Sequence, residues 1–171
     1  GIEAALQQGA DWVFVLNEDT IVAPDCIDRF MQTAAEKEAA IAGRVGILGP
    51  KVYHANEPNL IQSAGGKLTN HWVAIHIGQN ENDLGQYDDE RQVDWISGCA
   101  LLVKSQVIQE CGALDPRFFY YWEETDWCKR ATEHGWQIWV VPEAKIWHKG
   151  VQKDYAPSPN VTYYNTRNRL L

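Results

Sequence analysis

Three polar clusters in this sequence are placed where side chains could do chemistry. The first follows the apolar, strand-length run Val13-Phe14-Val15-Leu16, which stops abruptly at Asn17-Glu18-Asp19. Ligands in open α/β sheets bind at the carboxyl ends of strands. Side chains alternate along an extended chain, so Asn17 and Asp19 would project the same way and converge on one divalent cation. A hard cation such as Mg²⁺ or Mn²⁺ takes oxygen ligands, typically one or two carboxylates with substrate phosphates completing the shell. The competing reading, an acidic turn that caps the next helix, is the commoner one for so short a motif.

The second cluster, Trp122-Glu123-Glu124-Thr125-Asp126, crowds three carboxylates onto a helix N-terminus behind the aromatics Phe118 to Trp122. Such acids interact well with the helix dipole, and plain capping is one account of them. They also repel one another, and an apolar wall raises a carboxyl pKa toward what a general base needs. The third is His148, at the end of the run Ala144 to Trp147. A lone His is more often structural. Beside Asp19, however, it would give an Asp, a His and two phosphate oxygens, a set that suits Mn²⁺.

Two further stretches have residues suited to sugars or phosphates. In Trp95-Ile96-Ser97-Gly98 an aromatic face stands next to a glycine that permits close approach, fit for stacking on a sugar ring or for burial on a sheet. Tyr163-Tyr164-Asn165-Thr166-Arg167-Asn168-Arg169 puts two Arg on one helix. Their guanidinium forks could bind a diphosphate or hold the helix to the domain.

The elements that must position these groups read as an α/β alternation. A helix with Ile2, Ala5 and Leu6 inward ends at Gly9 and feeds the buried strand Trp12 to Leu16. A chain opening in this way implies that earlier strands of the sheet are missing. Pro24-Asp25 opens a helix to about Ala40 with Ile27, Phe30, Met31 and Ala34 at helical spacing. Residues 44–53 read as a strand broken at Gly49-Pro50. Residues 56–91 suggest small antiparallel strands and a polar loop near 80–90 that could act as a lid. Val93 to Val103 is largely apolar, and Ser105 is placed to cap a helix ending at Gly112. A helix over Glu123 to His134, strands at 137–141 and 144–148, and a helix over 163–171 complete the pattern.

The 171 residues fit a single domain, 1–171. At 45% hydrophobic and 22% charged the composition is that of a folded globular chain. A formal charge of -8 argues against a broad basic face and hence against nucleic acid as partner. Cys26, Cys99, Cys111 and Cys128 form no CxxC pair, which fits a reducing cytoplasm better than a disulfide framework. No apolar run is long enough to span a bilayer, so membrane association would be peripheral or lie in regions outside this chain.

Taken together the clusters resemble glycosyltransferase family 2, in its rhamnosyltransferase-like and galactofuranosyltransferase-like branch. Gly9-Ala10-Asp11 leading to Asn17-Glu18-Asp19 looks like the family's strand and DxD-type metal motif. Asp94-Trp95-Ile96-Ser97-Gly98-Cys99-Ala100-Leu101-Leu102-Val103 is similar to its acceptor-side strand. Phe118 through Arg130 looks like its catalytic "ED" helix, His148 falls at its metal-binding His, and Tyr163-Tyr164 with Arg167-Asn168 matches its closing helix.

The resemblance implies a GT-A-type, Rossmann-like mixed sheet flanked by helices. It also implies inverting transfer of a sugar from a nucleotide diphosphate donor to a saccharide or lipid-linked acceptor in cell-surface polysaccharide synthesis. In that scheme Glu124 is the base, and Asp19 and His148 hold Mn²⁺ or Mg²⁺. Asn17, Glu18 and Arg167 meet the donor diphosphate, while Trp95, Gly98, Trp122, Glu123 and Asp126 form the acceptor side. The place of work is the cytoplasm, at the inner face of the plasma membrane. Asn17 stands where the motif often has Asp, and Glu124 where the base is usually Asp. A rival class is a non-catalytic carbohydrate-binding or assembly module on the same fold. A metal-dependent nucleotidyltransferase would want a Gly-rich basic phosphate loop, which this chain does not display.

Overall fold

Helix α1 (Ile2–Gln7) turns Ile2, Ala5 and Leu6 toward the interior, and Gly9, at φ 75°, lets the chain reverse into strand β1 (Trp12–Leu16). The structure, a computed structural model, describes residues 1–41, 44–150 and 156–171. Strand β2 (Thr20–Val22), helix α2 (Cys26–Ile41), the long strand β3 (Val45–His54) and its neighbour β4 (Glu57–Ser63) follow. Strands β5 (Gly66–Leu68) and β6 (Ala74–His76) form a separate antiparallel ribbon. After them come β7 (Arg91–Gln92), β8 (Ala100–Lys104), α3 (Ser105–Cys111), α4 (Glu123–Glu133), β9 (Gln137–His148) and α5 (Pro159–Asn168).

Among the described residues, seven strands make one mixed sheet in the order β1-β8-β3-β9-β2, with β4 added to β3 and β7 to β9. Strands β3 and β9 run parallel, whereas β1, β3 and β8 pair antiparallel, as do β2 and β9. Alternation along β8 divides it between two apolar layers. Leu101 and Val103 enter the layer of Val107, Trp127 and Trp136, under α3 and α4, while Ala100 and Leu102 face Phe30 and Ala34 of α2. Each large side chain so buried contributes roughly 1.5–3 kcal/mol, which fixes the register of the strands that carry the site.

Several elements depart from the expectations. Strand β3 is unbroken at Gly49-Pro50; the irregularity falls on β9, where pairing passes from Pro50↔Val141 to Lys51↔Lys145. The two strands expected at 137–141 and 144–148 are therefore one, with a bulge at Pro142, which has no N–H to give the ladder. Helix α2 buries Cys26, Phe30, Thr33 and Ala34, while Ile27 and Met31 are exposed. Thr33 can be buried because its hydroxyl donates to Glu90 (2.5 Å). Ser105 does not cap α3; its hydroxyl donates to the Ala10 carbonyl and ties α3 to the start of β1. Residues 93–99 are not strand but pair locally with β5, Gly66 N–H donating to Trp95 O (2.9 Å). Helix α5 starts earlier than expected because Pro159 opens it and the Ser158 hydroxyl accepts from Val161 N–H.

The polar loop read as a lid is fastened. Lys51, fully buried, pairs with Asp83 (3.0 Å) and Asp88 (2.5 Å), Tyr53 donates to Asp83 (2.5 Å), and Lys37 holds Glu90 (2.8 Å). Releasing it would leave a buried ammonium without its counter-charges.

Candidate active site

Strand β1 ends at Leu16, and the chain turns at once. Asn17 N–H donates to Cys99 O (3.0 Å), and Asn17 O accepts the Thr20 hydroxyl (2.7 Å). Strand alternation therefore does not apply to residues 17–19: Asn17 and Glu18 are exposed, and Asp19 is turned inward by the turn. The turn feeds β2, where Thr20 pairs with His148 at the end of β9, and Lys149 N–H donates to Asp19 O (2.9 Å). Asp19 Oδ1 and His148 Nε2 are thereby brought to 3.1 Å.

The imidazole is oriented from behind. His148 Nδ1 meets Gln62 Oε1 at 2.9 Å. With the amide so oriented that oxygen can only accept, so Nδ1 carries a hydrogen, and Nε2 either donates to Asp19 or offers its lone pair to a cation. A Cβ at position 150 would fall 2.2 Å from His148 Cε1, so glycine there is what leaves room for the ring. Among the described residues no three His, Cys, Asp or Glu side chains converge on one point. The local donor set is one carboxylate oxygen and one imidazole nitrogen. Completed by diphosphate oxygens and water, it fits Mn²⁺ better than Mg²⁺, which prefers oxygen throughout. Gln62 is the outer partner such a ligating His needs.

Glu124 lies in the first turn of α4, after a segment in which Phe119, Tyr121 and Trp122 all have positive φ. Its Oε2 is shut off from solvent without a hydrogen-bond partner, as is Oε2 of Glu123. Burial pushes the Glu124 carboxyl up to about 7, and the charge of Glu123 adds to this. Backbone N–H groups of Glu124, Thr125 and Gly98 pull the other way. Glu123 is also raised, mainly by burial.

The two clusters are joined by the dipeptide Gly98-Cys99. Gly98 lies against Glu124, a Cβ on it reaching 3.4 Å from Glu124 Cδ, while the Cys99 carbonyl holds Asn17. The Cys99 thiol, pushed up to about 12 chiefly by burial, also feels the charges of both Glu124 and Asp19.

A cleft of about 360 Å³ opens beside Glu124, with His76 and Trp95 on one wall and Tyr121, Trp122 and Asn165 on another. Trp95 is buried apart from an edge; its Nε1 donates to Lys67 O (3.3 Å), and the His76 ring meets it edge-on at 4.7 Å. Ser63 donates to Gly65 O (3.1 Å) and so accepts from His76 Nδ1 (2.9 Å). Burial draws His76 down to about 4. His76 is therefore a neutral imidazole whose Nε2 is an acceptor.

Not every expected residue joins this site. Asp126 accepts from Arg130 (2.8 Å), whose other nitrogens donate to Cys111 O and Ala113 O; it locks α4 to the end of α3 and does not line the cleft. Arg167 donates through Nη1 to Arg117 O and Asn168 Oδ1 (both 2.9 Å), which pins α5 to the loop before α4, and it does not line the cleft beside Glu124. Gly98 supports Glu124 instead of lining the cleft. Sequence reasoning missed Gln62 and His76, which sit in no motif, and it noted Asn165 and Asn168 only as members of the closing-helix stretch, with no role assigned to either.

Over residues 1–169 the chain matches the sequence family described as glycosyltransferase like family 2. It is similar to N-acetylglucosaminyl-diphospho-decaprenol L-rhamnosyltransferase of Mycobacterium tuberculosis, 29% identical over 81% of this chain and 47% of that protein. It is also similar to dTDP-rhamnosyl transferase RfbF of Shigella flexneri (25% identical, 100% of this chain, 56% of that one). Galactofuranosyltransferase GlfT2 of Mycobacterium tuberculosis is 23% identical over 99% of this chain and 28% of its own length. The chain thus spans about half the length of the rhamnosyltransferases it matches. Among solved structures, GalNAc-T7 with UDP, GalNAc and Mn²⁺ aligns with a TM-score of 0.62 over 97% of this chain and 33% of that one. At 12% identity that likeness concerns the fold, which is of the GT-A type. The match over residues 1–169 settles the family: this chain belongs to glycosyltransferase family 2.

Proposed function

We propose that this chain, taken as one domain, carries the metal- and acceptor-binding side of an inverting glycosyltransferase. The reaction moves a rhamnose- or galactofuranose-like sugar from a nucleotide diphosphate donor to a saccharide or lipid-linked acceptor in cell-surface polysaccharide synthesis. The observation that carries this reading is Glu124: a carboxyl raised to about 7, with an oxygen lacking any partner, beside an aromatic cleft. The names of the relatives, rhamnosyl and galactofuranosyl transferases, support the sugar class.

Glu124 takes the proton of an acceptor hydroxyl as that oxygen attacks the anomeric carbon. The bond from that carbon to the diphosphate breaks on the opposite face, the diphosphate leaves with the electron pair, and the configuration inverts. Trp95 and Trp122 offer edges and faces to the sugar rings, and His76 Nε2 can accept a neighbouring hydroxyl's hydrogen. Asp19 and His148 hold the divalent cation, which when bound supplies neutralising charge to the departing diphosphate. The four cysteines are free thiols, which supports a cytoplasmic place of work. No described helix is long and apolar enough to cross a membrane.

The test is release of nucleoside diphosphate from dTDP-rhamnose and from UDP-linked hexoses, with Mn²⁺ and a saccharide acceptor, compared with Glu124→Gln. Turnover that the variant loses supports the enzyme. Saccharide binding without turnover from any donor would favour the non-catalytic module instead.

A further inference from the structure

The segment that presents Glu123 and Glu124 holds a backbone conformation that side-chain-bearing residues rarely adopt. Phe119, Tyr121 and Trp122 have φ of 53°, 66° and 75°, and α4 starts on Trp122 with no side-chain cap. Such conformations persist only where the surrounding structure over-determines them. Here helix α5 does so. Asn168, 2% exposed, directs its Nδ2 at the carbonyls of Phe118 (2.7 Å), Tyr120 (2.8 Å) and Tyr121 (2.8 Å). An amide nitrogen has two hydrogens, so the three carbonyls share them and the amide sits at the focus of the turn. Arg167 Nη1 fixes that amide by donating to Asn168 Oδ1 and Arg117 O, both at 2.9 Å. One turn earlier, Asn165 accepts from Trp122 Nε1 (3.2 Å), and Tyr164 packs on Phe119 at 5.2 Å.

Simple docking of α5 would need only apolar contact such as that of Val161. A buried amide aimed at three consecutive-turn carbonyls instead fixes dihedral angles. We propose that Asn168, oriented by Arg167, is a positioning residue for sugar transfer: it clamps the 118–122 turn in the conformation that seats Glu124 against Gly98 and the cleft. The role in transfer rests on the reading of Glu124 as the base. Misplacing a catalytic group by about 1 Å can cost roughly 100-fold in rate, so a clamp remote from the reacting atoms can still set turnover.

The groups that share the surroundings of Glu124 are Glu123 on its own helix, the thiols of Cys99 and Cys128, Asp19 beyond Cys99, and His76 across the cleft. Asn168→Ala removes none of these groups, so a double comparison isolates the clamp. Thermal midpoints from pH 5 to 8 are measured for the parent, Glu124→Gln, Asn168→Ala and the double variant. In the parent background Glu124→Gln raises the midpoint at pH 8 and not at pH 5, because an ionised carboxylate with one oxygen shut from solvent and unpartnered weakens the fold. The expected result is that this pH-dependent gain falls by at least half in the Asn168→Ala background. Asn168→Ala should also lower kcat for release of dTDP from dTDP-rhamnose about 10- to 100-fold, with KM nearly unchanged. An undiminished gain would overturn the proposal. If Asn168→Ala does not fold, Arg167→Met, which leaves the amide and removes what orients it, supports the same comparison with the same two outcomes. Turnover retained by Glu124→Gln would sink the base reading, and the thermal comparison would still decide the clamp.

Discussion

His148 Nε2 lies 3.1 Å from Asp19 Oδ1, and a three-residue ladder is responsible: Thr20, Ile21 and Val22 of β2 pair with His148, Trp147 and Ile146 of β9. Residues near the two ends of the sequence are thus held as a ready pair of nitrogen and oxygen donors. If they hold a cation that receives diphosphate, Asp19→Ala and His148→Ala each abolish the Mn²⁺-dependent part of nucleoside diphosphate binding. Gln62→Ala, which removes only the partner behind the ring, weakens Mn²⁺ affinity about tenfold. Calorimetric titration of dTDP and UDP with and without Mn²⁺ checks all three. Metal-dependent binding that survives both ligand variants would place the cation elsewhere.

Glu124 links stability and activity to pH in opposite directions. Its carboxyl is raised from 4.5 to about 7, so the folded state binds the proton more tightly than the unfolded chain does. That contribution to stability is fully present below about 4.5 and is lost as pH rises through 7, amounting to roughly 3 kcal/mol. Glu124→Gln, which cannot ionise, should match the parent near pH 4 and exceed it at pH 8 in urea denaturation. Turnover runs the other way: a base must be ionised, so kcat/KM climbs with pH through about 7, and the variant loses about 10²- to 10⁴-fold. A parent profile flat from pH 5.5 to 8 would rule out this group as the base.

The site was legible in the sequence where a local signal coincided with a buried element. An apolar run cut off at Asn17-Glu18-Asp19, acids opening a helix at Glu123, and a His ending a strand each announce a polar group at the edge of a core. That Asp19 meets His148 depends on β2, a strand of three residues whose pairing is non-local, and no spacing announces it. Alternation misplaced Asn17 because β1 stops one residue earlier, at Leu16. Charge alone does not announce that Asp126 is spent on Arg130, or that Arg167 Nη1 is bonded to Arg117 O and Asn168 Oδ1. Gln62 and His76 lie in short strands among Gly and Asn, where periodicity carries little information.

The loop at 80–90 should behave as part of the fold because of Asp83. Burial alone would raise its carboxyl, but hydrogen bonds from Tyr53, from Gly85 N–H and from Lys51 outweigh it and hold the group at about 2. A depressed carboxyl gives stability that is present above its ordinary value of 3.8 and lost as pH falls toward 2. Asp83→Asn leaves fully buried Lys51 with Asp88, itself 65% exposed, and should cost roughly 3 kcal/mol at pH 7. The difference from the parent shrinks as pH falls toward 2, where the parent is losing the charge that the variant lacks. Denaturation at the two pH values measures this, and amide exchange at residues 80–90 reports whether the loop is released. Equal stability at pH 7 would mean that the Lys51–Asp83 pair contributes nothing.

The wall of the cleft opposite Glu124 depends on Gly66. A Cβ there would fall 2.0 Å from Trp95 Cε2 and 2.2 Å from its Nε1, too close for the indole to stay where it is. The ring has little freedom to move, since Nε1 donates to Lys67 O, His76 packs on its face, and the Trp95 carbonyl accepts from Gly66 N–H. Gly66→Ala should therefore destabilise by about 1–3 kcal/mol, as overpacking does, and change the near-ultraviolet circular dichroism of the tryptophans. Gly98→Ala, at the glycine that lies against Glu124, is the matched control. Its Cβ would lie 3.4 Å from Glu124 Cδ, an ordinary contact, so its stability should stay within about 0.5 kcal/mol of the parent. If Trp95 forms a saccharide surface, Gly66→Ala raises KM for the acceptor and leaves Mn²⁺-dependent diphosphate binding intact, because Asp19 and His148 are untouched. Loss of both together would show that the ribbon of β5 and β6 supports the whole site and not the acceptor wall alone.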